Sequence, residues 1–148
     1  MSLLRKRQKA RRLLVQALYS WDLAGDDVGS IATHLRSEND FAKVDTELFD
    51  SILVGVVNDV ERVDGAYEPY LDRHQHQLDP ISKAILRIST FELVNRIDVP
   101  FKVVINEAIN LAKTFGPADA FKFINAVLEG VAEHFRASEL CKRSARGG

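Results

Sequence analysis

The chain has 148 residues, of which 46% are hydrophobic and 28% charged, a composition typical of one globular domain. Its single cysteine, Cys141, excludes an intramolecular disulfide framework and a multi-cysteine zinc site. No stretch without charged residues exceeds nine positions, which is far too short for a membrane-spanning helix, and no apolar signal-peptide core follows the N-terminus. We therefore expect a cytoplasmic protein that does not associate with membranes.

The charged residues are distributed unevenly along the chain. Residues 1–12 carry six basic side chains and no acidic one, and three more basic residues lie among the last seven. Removing these nine from the 20 basic residues leaves 11 against 21 acidic residues in the rest of the chain. A basic segment on an acidic body indicates an arm that binds a polyanion.

Apolar residues recur with helical spacing nearly everywhere, and no convincing alternating strand pattern occurs. The spacing predicts a first helix over about 4–23, followed by Gly25, and a short second helix over about 28–36. Asp45 is expected to be the N-cap of a third helix. Gly65 and Pro69 are then expected to interrupt the next stretch.

A fourth, short helix is expected to reach about Arg73, and the fifth to cover about 80–96. Asp79-Pro80 supplies an N-cap and a first-turn proline for the fifth helix. Apolar residues surround most of its circumference, which predicts a position at the centre of a bundle.

Pro100 is expected to start the sixth helix, and Asp119 or its neighbour the seventh, while residues 137–148 are expected to form a frayed tail. The predicted fold is all-α, with about seven helices in two small helical bundles that share a central buried helix. We expect one domain over residues 1–148, with an N-terminal helical subdomain over about 1–75 and a C-terminal one over about 79–136.

Motifs of enzymes are missing from the sequence. There is no phosphate-binding glycine loop, and no pair of carboxylates stands out as catalytic. His74 and His76 lie in a polar segment, where solvated histidines are favoured over a metal site. Cys141 lies in a basic tail that cannot hold a nucleophile in fixed geometry. We expect neither catalysis nor a bound metal or cofactor.

The basic run at the N-terminus is the strongest local feature. On a helix, one face carries Arg5, Lys9, Arg12, Gln16 and Tyr19, with Arg7 and Arg11 on its flank. Such a row matches the phosphates of single-stranded RNA, and arginine planes stack on unpaired bases. A solvated helix face and a membrane-surface helix are the alternatives.

Phe123 lies at the edge of the apolar stripe of the last helix. From periodicity alone, a peripheral core residue is favoured over a base-stacking residue.

Several motifs resemble the NusB family, over about residues 5–135. They are Gln16-Ala17-Leu18-Tyr19, Lys83-Ala84-Ile85-Leu86-Arg87, the segment from Asp98 to Ala108, Ala112-Lys113, Phe115-Gly116, and the segment from Lys122 to Leu128. The resemblance implies an all-helical bacterial transcription antitermination factor that is not an enzyme. It also implies binding of boxA RNA together with the ribosomal protein NusE, and action with other Nus factors and RNA polymerase on ribosomal RNA operons.

The resemblance assigns roles to individual residues. The implied RNA-binding residues are Arg5, Lys6, Arg7, Lys9, Arg11, Arg12, Asp119, Lys122 and Phe123. Tyr19 matches an aromatic residue at the NusE interface, and Ser82 occupies a partner-binding position where several members have an acid. Phe101 replaces the family's usual tyrosine.

Three alternatives stay open at this point. The RNA-binding domain of ribosomal RNA cytosine methyltransferases resembles the same fold and continues into a catalytic domain, so we expect no enzyme here if Gly148 ends the full protein. An adaptor that binds only proteins is the second. Self-association into a homodimer is the third.

Overall fold

The computed structural model describes residues 1–72 and 77–140, and within these ranges it is helical with no β-strand. The helices α1 to α7 span Leu3–Ala24, Val28–Glu38, Thr46–Asn58, Val60–Tyr67, Pro80–Asn95, Phe101–Phe115 and Ala120–Phe135. Two 3-10 turns, Phe41–Lys43 and Glu68–Tyr70, follow α2 and α4. The predicted all-α fold is therefore confirmed.

Local sequence signals account for most helix boundaries. Asp27, Asp45 and Asp79 each accept a hydrogen bond from the backbone N–H three residues later, at 3.1, 3.0 and 2.9 Å. Gly25 ends α1 with a φ of 67°, in the left-handed region that favours glycine. The expected caps at Asp45 and Asp79 are confirmed.

Two expectations about boundaries were wrong. Gly65 does not interrupt a helix, since it lies inside α4, which begins at Val60. Pro69 lies beyond the end of α4 at Tyr67, in the following 3-10 turn, and residue 73 lies outside the described ranges. Residues 137–140 are helical rather than frayed. Glu139 holds this turn in place because its carboxylate accepts hydrogen bonds from the Phe101 N–H at 2.9 Å and from Arg136 at 2.7 Å.

Helix α5 lies at the centre of the molecule. It contacts α1, α3, α4, α6 and α7. Ten of its 16 residues are buried, more than in any other helix over residues 1–72 and 77–140. The prediction of a central buried helix at about 80–96 is confirmed.

Contacts cross the predicted boundary between the two subdomains. Helix α4, on the N-terminal side of that boundary, contacts both α5 and α7, and α1 contacts α5. The division into subdomains at about 1–75 and 79–136 stays a prediction.

The buried surface of α5 includes charged residues. Arg11 of α1 is 1% exposed and donates two hydrogen bonds to Glu92 of α5, at 2.9 and 2.8 Å. Arg87 donates two to Asp64 of α4, both at 2.9 Å. Pairs of this geometry satisfy most of the hydrogen bonds of both groups inside the core, although the Arg11 Nη1 has no hydrogen-bond partner among the described residues.

Arg136, which follows α7, closes the C-terminal end of α5. Its guanidinium donates hydrogen bonds to the carbonyls of Glu92, Leu93, Arg96 and Val99, at 3.1, 2.8, 2.9 and 3.0 Å. The last carbonyls of a helix have no partner within it, so this contact supplies one and attaches α7 to α5.

Replacing Arg11 with methionine should leave the Glu92 carboxylate buried without its counter-charge. We expect the free energy of unfolding to fall by about 3–5 kcal/mol, measured by urea denaturation. The double variant Arg11→Met/Glu92→Met should recover much of the loss. The exposed neighbour supplies a control, because Arg12→Met should change stability by less than about 0.5 kcal/mol. Equal stability of Arg11→Met and the parent chain would contradict this role for the pair.

Candidate nucleic-acid interface

The first turns of α1 are fixed in direction. The Ser2 hydroxyl accepts a hydrogen bond from the Arg5 N–H at 3.2 Å and caps the helix. The Lys6 carbonyl accepts one from the Asp45 N–H at 3.1 Å, at the start of α3. The basic run is therefore a helical segment attached to α3.

The structure separates the six basic residues of this run into two groups. Arg5, Lys9 and Arg12 are exposed and Lys6 is half-buried. Arg7 and Arg11 face inward and are paired with carboxylates. Only the first group presents its charges to solvent.

Arg7 belongs to a chain of ion pairs beneath the basic run. Its Nε lies 3.2 Å from Asp45 and its Nη2 lies 3.4 Å from Asp98. Asp98 also accepts from Arg96 at 3.1 Å, and Arg96 pairs in turn with Glu47. Partial burial would raise the pKa of Asp98, but the hydrogen bond and charge of Arg96 lower it below its ordinary value. Arg7 therefore positions the start of α1 against the loop before α6.

The prediction that Arg11 contacts RNA was wrong, because its guanidinium is enclosed in the core with Glu92. Burial alone would lower the pKa of Arg11, but the hydrogen bonds to Glu92 and the charge of that carboxylate raise it above its ordinary value. The sequence held a signal, since Arg11 precedes Leu14 and Leu18 of the apolar stripe by three and seven residues. The sequence did not identify Glu92 as the carboxylate that pairs with Arg11.

The start of α7 forms a second exposed region. Asp119 adopts a φ of 69°, a left-handed conformation that is uncommon for residues other than glycine. Its carboxylate makes no capping hydrogen bond and lies 3.5 Å from the Lys122 Nζ. Both side chains are exposed, so the predicted site residues Asp119 and Lys122 lie together at the surface.

Two phenylalanines flank the apolar stripe of α7. Phe123 is half-buried and packs against the edge of the core, as the periodicity predicts. Phe121, which the sequence analysis did not select, has the Lys113 Nζ 4.8 Å and the Lys122 Nζ 6.0 Å from its ring centroid. Such cations over an aromatic ring give a positively charged aromatic surface. Lys113 comes from the end of α6, so only the fold brings these groups together.

A polar groove between α1 and α6 connects the two regions. Its volume is about 270 Å³, and it is lined by Gln8, Arg12, Glu107, Asn110, Leu111, Lys113 and Thr114. One end is formed by the basic face of α1. The other end lies near the start of α7, because Lys113 contacts Phe121 of that helix.

The two predicted partner-binding residues differ in exposure. The side chain of Tyr19 is exposed, with 39% of its surface accessible. Ser82 is 0% exposed and its hydroxyl has no hydrogen-bond partner among the described residues, so direct contact of this side chain with a partner was a wrong prediction. The physical reason is its place in the first turn of the central helix α5, on a side of the helix that is buried.

The remaining candidates for metal binding or catalysis are the histidines and the single cysteine. His34 and His134 are exposed and far apart in sequence, whereas His74, His76 and Cys141 lie outside the described residues. Over residues 1–72 and 77–140, no group of three or more histidine, cysteine or acidic side chains is arranged to hold a metal ion. Within the same ranges no helix combines the length and apolarity needed to cross a membrane.

Comparison with known sequences gives a consistent match. Residues 8–133 match the model of the NusB family. The transcription antitermination protein NusB of Alcanivorax borkumensis is 49% identical over 140 residues, which cover 95% of this chain and 93% of that protein. The NusB protein of Cupriavidus pinatubonensis is 42% identical, over 93% of this chain and 82% of that protein.

Solved structures with the same fold give the same family. NusB of T. maritima superposes with a TM-score of 0.76 and 26% identity, over 86% of this chain and 90% of that one. A chain from a crystal structure of NusB and NusE in complex with double-stranded RNA gives a TM-score of 0.74 and 25% identity, over 88% and 98% of the two chains. By sequence and by fold, the chain belongs to the NusB family.

Proposed function

We propose that this chain is a transcription antitermination factor that binds boxA RNA together with the ribosomal protein NusE. In this role it supports processive transcription of ribosomal RNA operons. Its membership in a family of antitermination factors is the observation that carries the proposal. A neighbouring structure that contains NusB, NusE and RNA in one complex supports the two binding partners.

The RNA-binding surface is proposed to run from α1 across the groove to α7. Arg5, Lys9 and Arg12 supply exposed positive charges that match phosphates spaced along a strand. Lys122 and the aromatic residues beside it supply charge and rings at the other end, where unpaired bases can stack. Asp119 lies at the rim of this end.

We further propose that the chain acts as an adaptor without catalysis or a cofactor. The NusE contact is assigned to the exposed Tyr19 on α1, and other Nus factors and RNA polymerase would join through the assembled complex. We place this complex in the cytoplasm, where nascent ribosomal RNA is made. A homodimer of the free chain is an alternative assembly, which sedimentation across a range of concentrations distinguishes from a monomer.

The protein-only adaptor is the second candidate function. Three exposed basic side chains on one helix face, with no acidic residue before position 12, favour RNA binding over this alternative. A titration with boxA RNA, in the presence and absence of NusE, separates the two. If no RNA binding is measured with or without NusE, the protein-only adaptor is the remaining candidate.

The triple variant Arg5→Ala/Lys9→Ala/Arg12→Ala should weaken RNA binding. Each lost phosphate contact reduces the slope of log affinity against log salt by about 0.7 for a single strand, so the expected reduction is about 2. Fluorescence anisotropy at several salt concentrations measures the slope. Arg62→Ala removes an exposed charge from α4 and should leave the slope unchanged. A triple variant with the parent slope would place the RNA elsewhere.

Phe123→Ala should reduce RNA affinity by about 1–3 kcal/mol if one base stacks on the ring. If Phe123 instead serves only the core, unfolding stability should fall by about 3–5 kcal/mol while the folded fraction keeps its RNA affinity. Measuring both quantities on one variant separates the roles. Phe135→Ala, at the opposite end of α7, is the matched control and should not alter RNA affinity.

Tyr19→Ala should weaken binding to NusE by about 2 kcal/mol or more, since exposed tyrosines at interfaces commonly contribute this much. Isothermal titration of NusE into the RNA-free protein measures the change. The exposed Val54 on α3 gives the control variant Val54→Ala, for which no change is expected. Unaltered NusE affinity in Tyr19→Ala would place the interface on another face.

A further inference from the structure

We propose that Glu107, held by Gln8 and flanked by Asn110, determines base specificity by accepting a hydrogen bond from the exocyclic amino group of an unpaired RNA base. The inference rests on the proposed RNA-binding function and deepens it. The site is the groove between α1 and α6, and the ligand class is a single-stranded base that carries an amino group, with uracil disfavoured.

A negatively charged side chain such as Glu107 is not expected on a surface that binds only phosphates. The groove presents Arg12 and Lys113, both exposed and both suited to phosphate contacts. Glu107 is the single acidic residue among those that line it. An ionised carboxylate repels phosphate and can only accept hydrogen bonds, so the group that it binds must be a donor.

The carboxylate is already oriented in the absence of RNA. The Gln8 Nε2 donates to the Glu107 Oε1 at 3.0 Å, which fixes the side chain against α1. The other oxygen, Oε2, has no hydrogen-bond partner among residues 1–72 and 77–140. Glu107 is half-buried and lines the groove.

Cationic side chains lie near Glu107. The buried Arg11 interacts electrostatically with Glu107, although its hydrogen bonds go to Glu92. The other charged residues that line the groove are Arg12 of α1 and Lys113 of α6, and both are cationic.

The size and polarity of the groove suit a base. Its volume of about 270 Å³ exceeds the roughly 150 Å³ that suffices for a benzene-sized ring. The Asn110 amide lies one helical turn from Glu107 and offers both a donor and an acceptor. Cytosine presents an amino group where uracil presents a carbonyl oxygen, and a carboxylate accepts from the former and repels the latter.

The experiment compares two RNAs of equal charge and length, an octamer of cytidine and an octamer of uridine. Binding of each is measured by fluorescence anisotropy at one salt concentration. The parent chain should bind the cytidine octamer about tenfold more tightly, since one well-placed base contact gives about this discrimination. In Glu107→Gln the ratio should fall close to one, because an amide can pair with either base.

The ratio is the decisive measurement rather than either affinity. Removing one negative charge strengthens phosphate binding to both octamers alike and cancels in the ratio. Glu133→Gln removes the same charge from an exposed position near the end of α7 and should keep the tenfold preference. Thermal unfolding of both variants verifies that each is folded before the ratios are compared.

The outcomes separate this inference from the proposed function. Binding of both octamers with no preference, or a preference that Glu107→Gln leaves intact, overturns the role of Glu107 and leaves RNA binding standing. Failure of the parent chain to bind either octamer, and also boxA RNA with NusE, overturns the proposed function and this inference with it.

Discussion

The ion pair between Arg11 and Glu92 is the constraint on which the rest of the structure depends. It joins the helix that carries the basic run to the central helix α5, and both side chains are almost completely removed from solvent. A buried pair of this kind requires close geometry, because either charge alone in the core would be strongly destabilising. The rotation of α1 about its axis is therefore determined, and with it the set of basic residues that remain at the surface.

Once Arg11 faces inward, the opposite side of α1 must face solvent. The basic residues on that side are Arg5, Lys9 and Arg12, all of them exposed. Arg7 lies between the two faces and is held by Asp45 and Asp98. The same helix thus uses some of its basic residues for the fold and others for the proposed contact with RNA.

The second part of the proposed surface depends on the end of α6. Lys113 comes over the ring of Phe121, so the end of one helix contacts the beginning of the next. The left-handed backbone at Asp119 sets the direction in which α7 leaves this turn. The groove between α1 and α6 then connects this region with the basic face, giving a continuous polar path for a strand.

The sequence by itself determined the helices and most of their boundaries. Helical periodicity and capping residues such as Asp45 and Asp79 act over three or four residues, so they can be recognised locally. The same information identified the basic run and the central position of α5. The resemblance to the NusB family supplied the function, which the comparisons support, while Lys122 and Phe123 stay predictions for individual contacts.

Only the tertiary structure decided which of the predicted residues are accessible. Arg11 and Glu92 are 81 positions apart, and no local pattern pairs them. The resemblance assigned Ser82 to a partner contact, yet it is buried on a helix that five other helices contact. The groove at Glu107 likewise exists only because α1 and α6 meet. Burial and ion pairing depend on which helices lie next to each other in space. The spacing of residues along the sequence predicts each helix, but it does not predict which helices pack together.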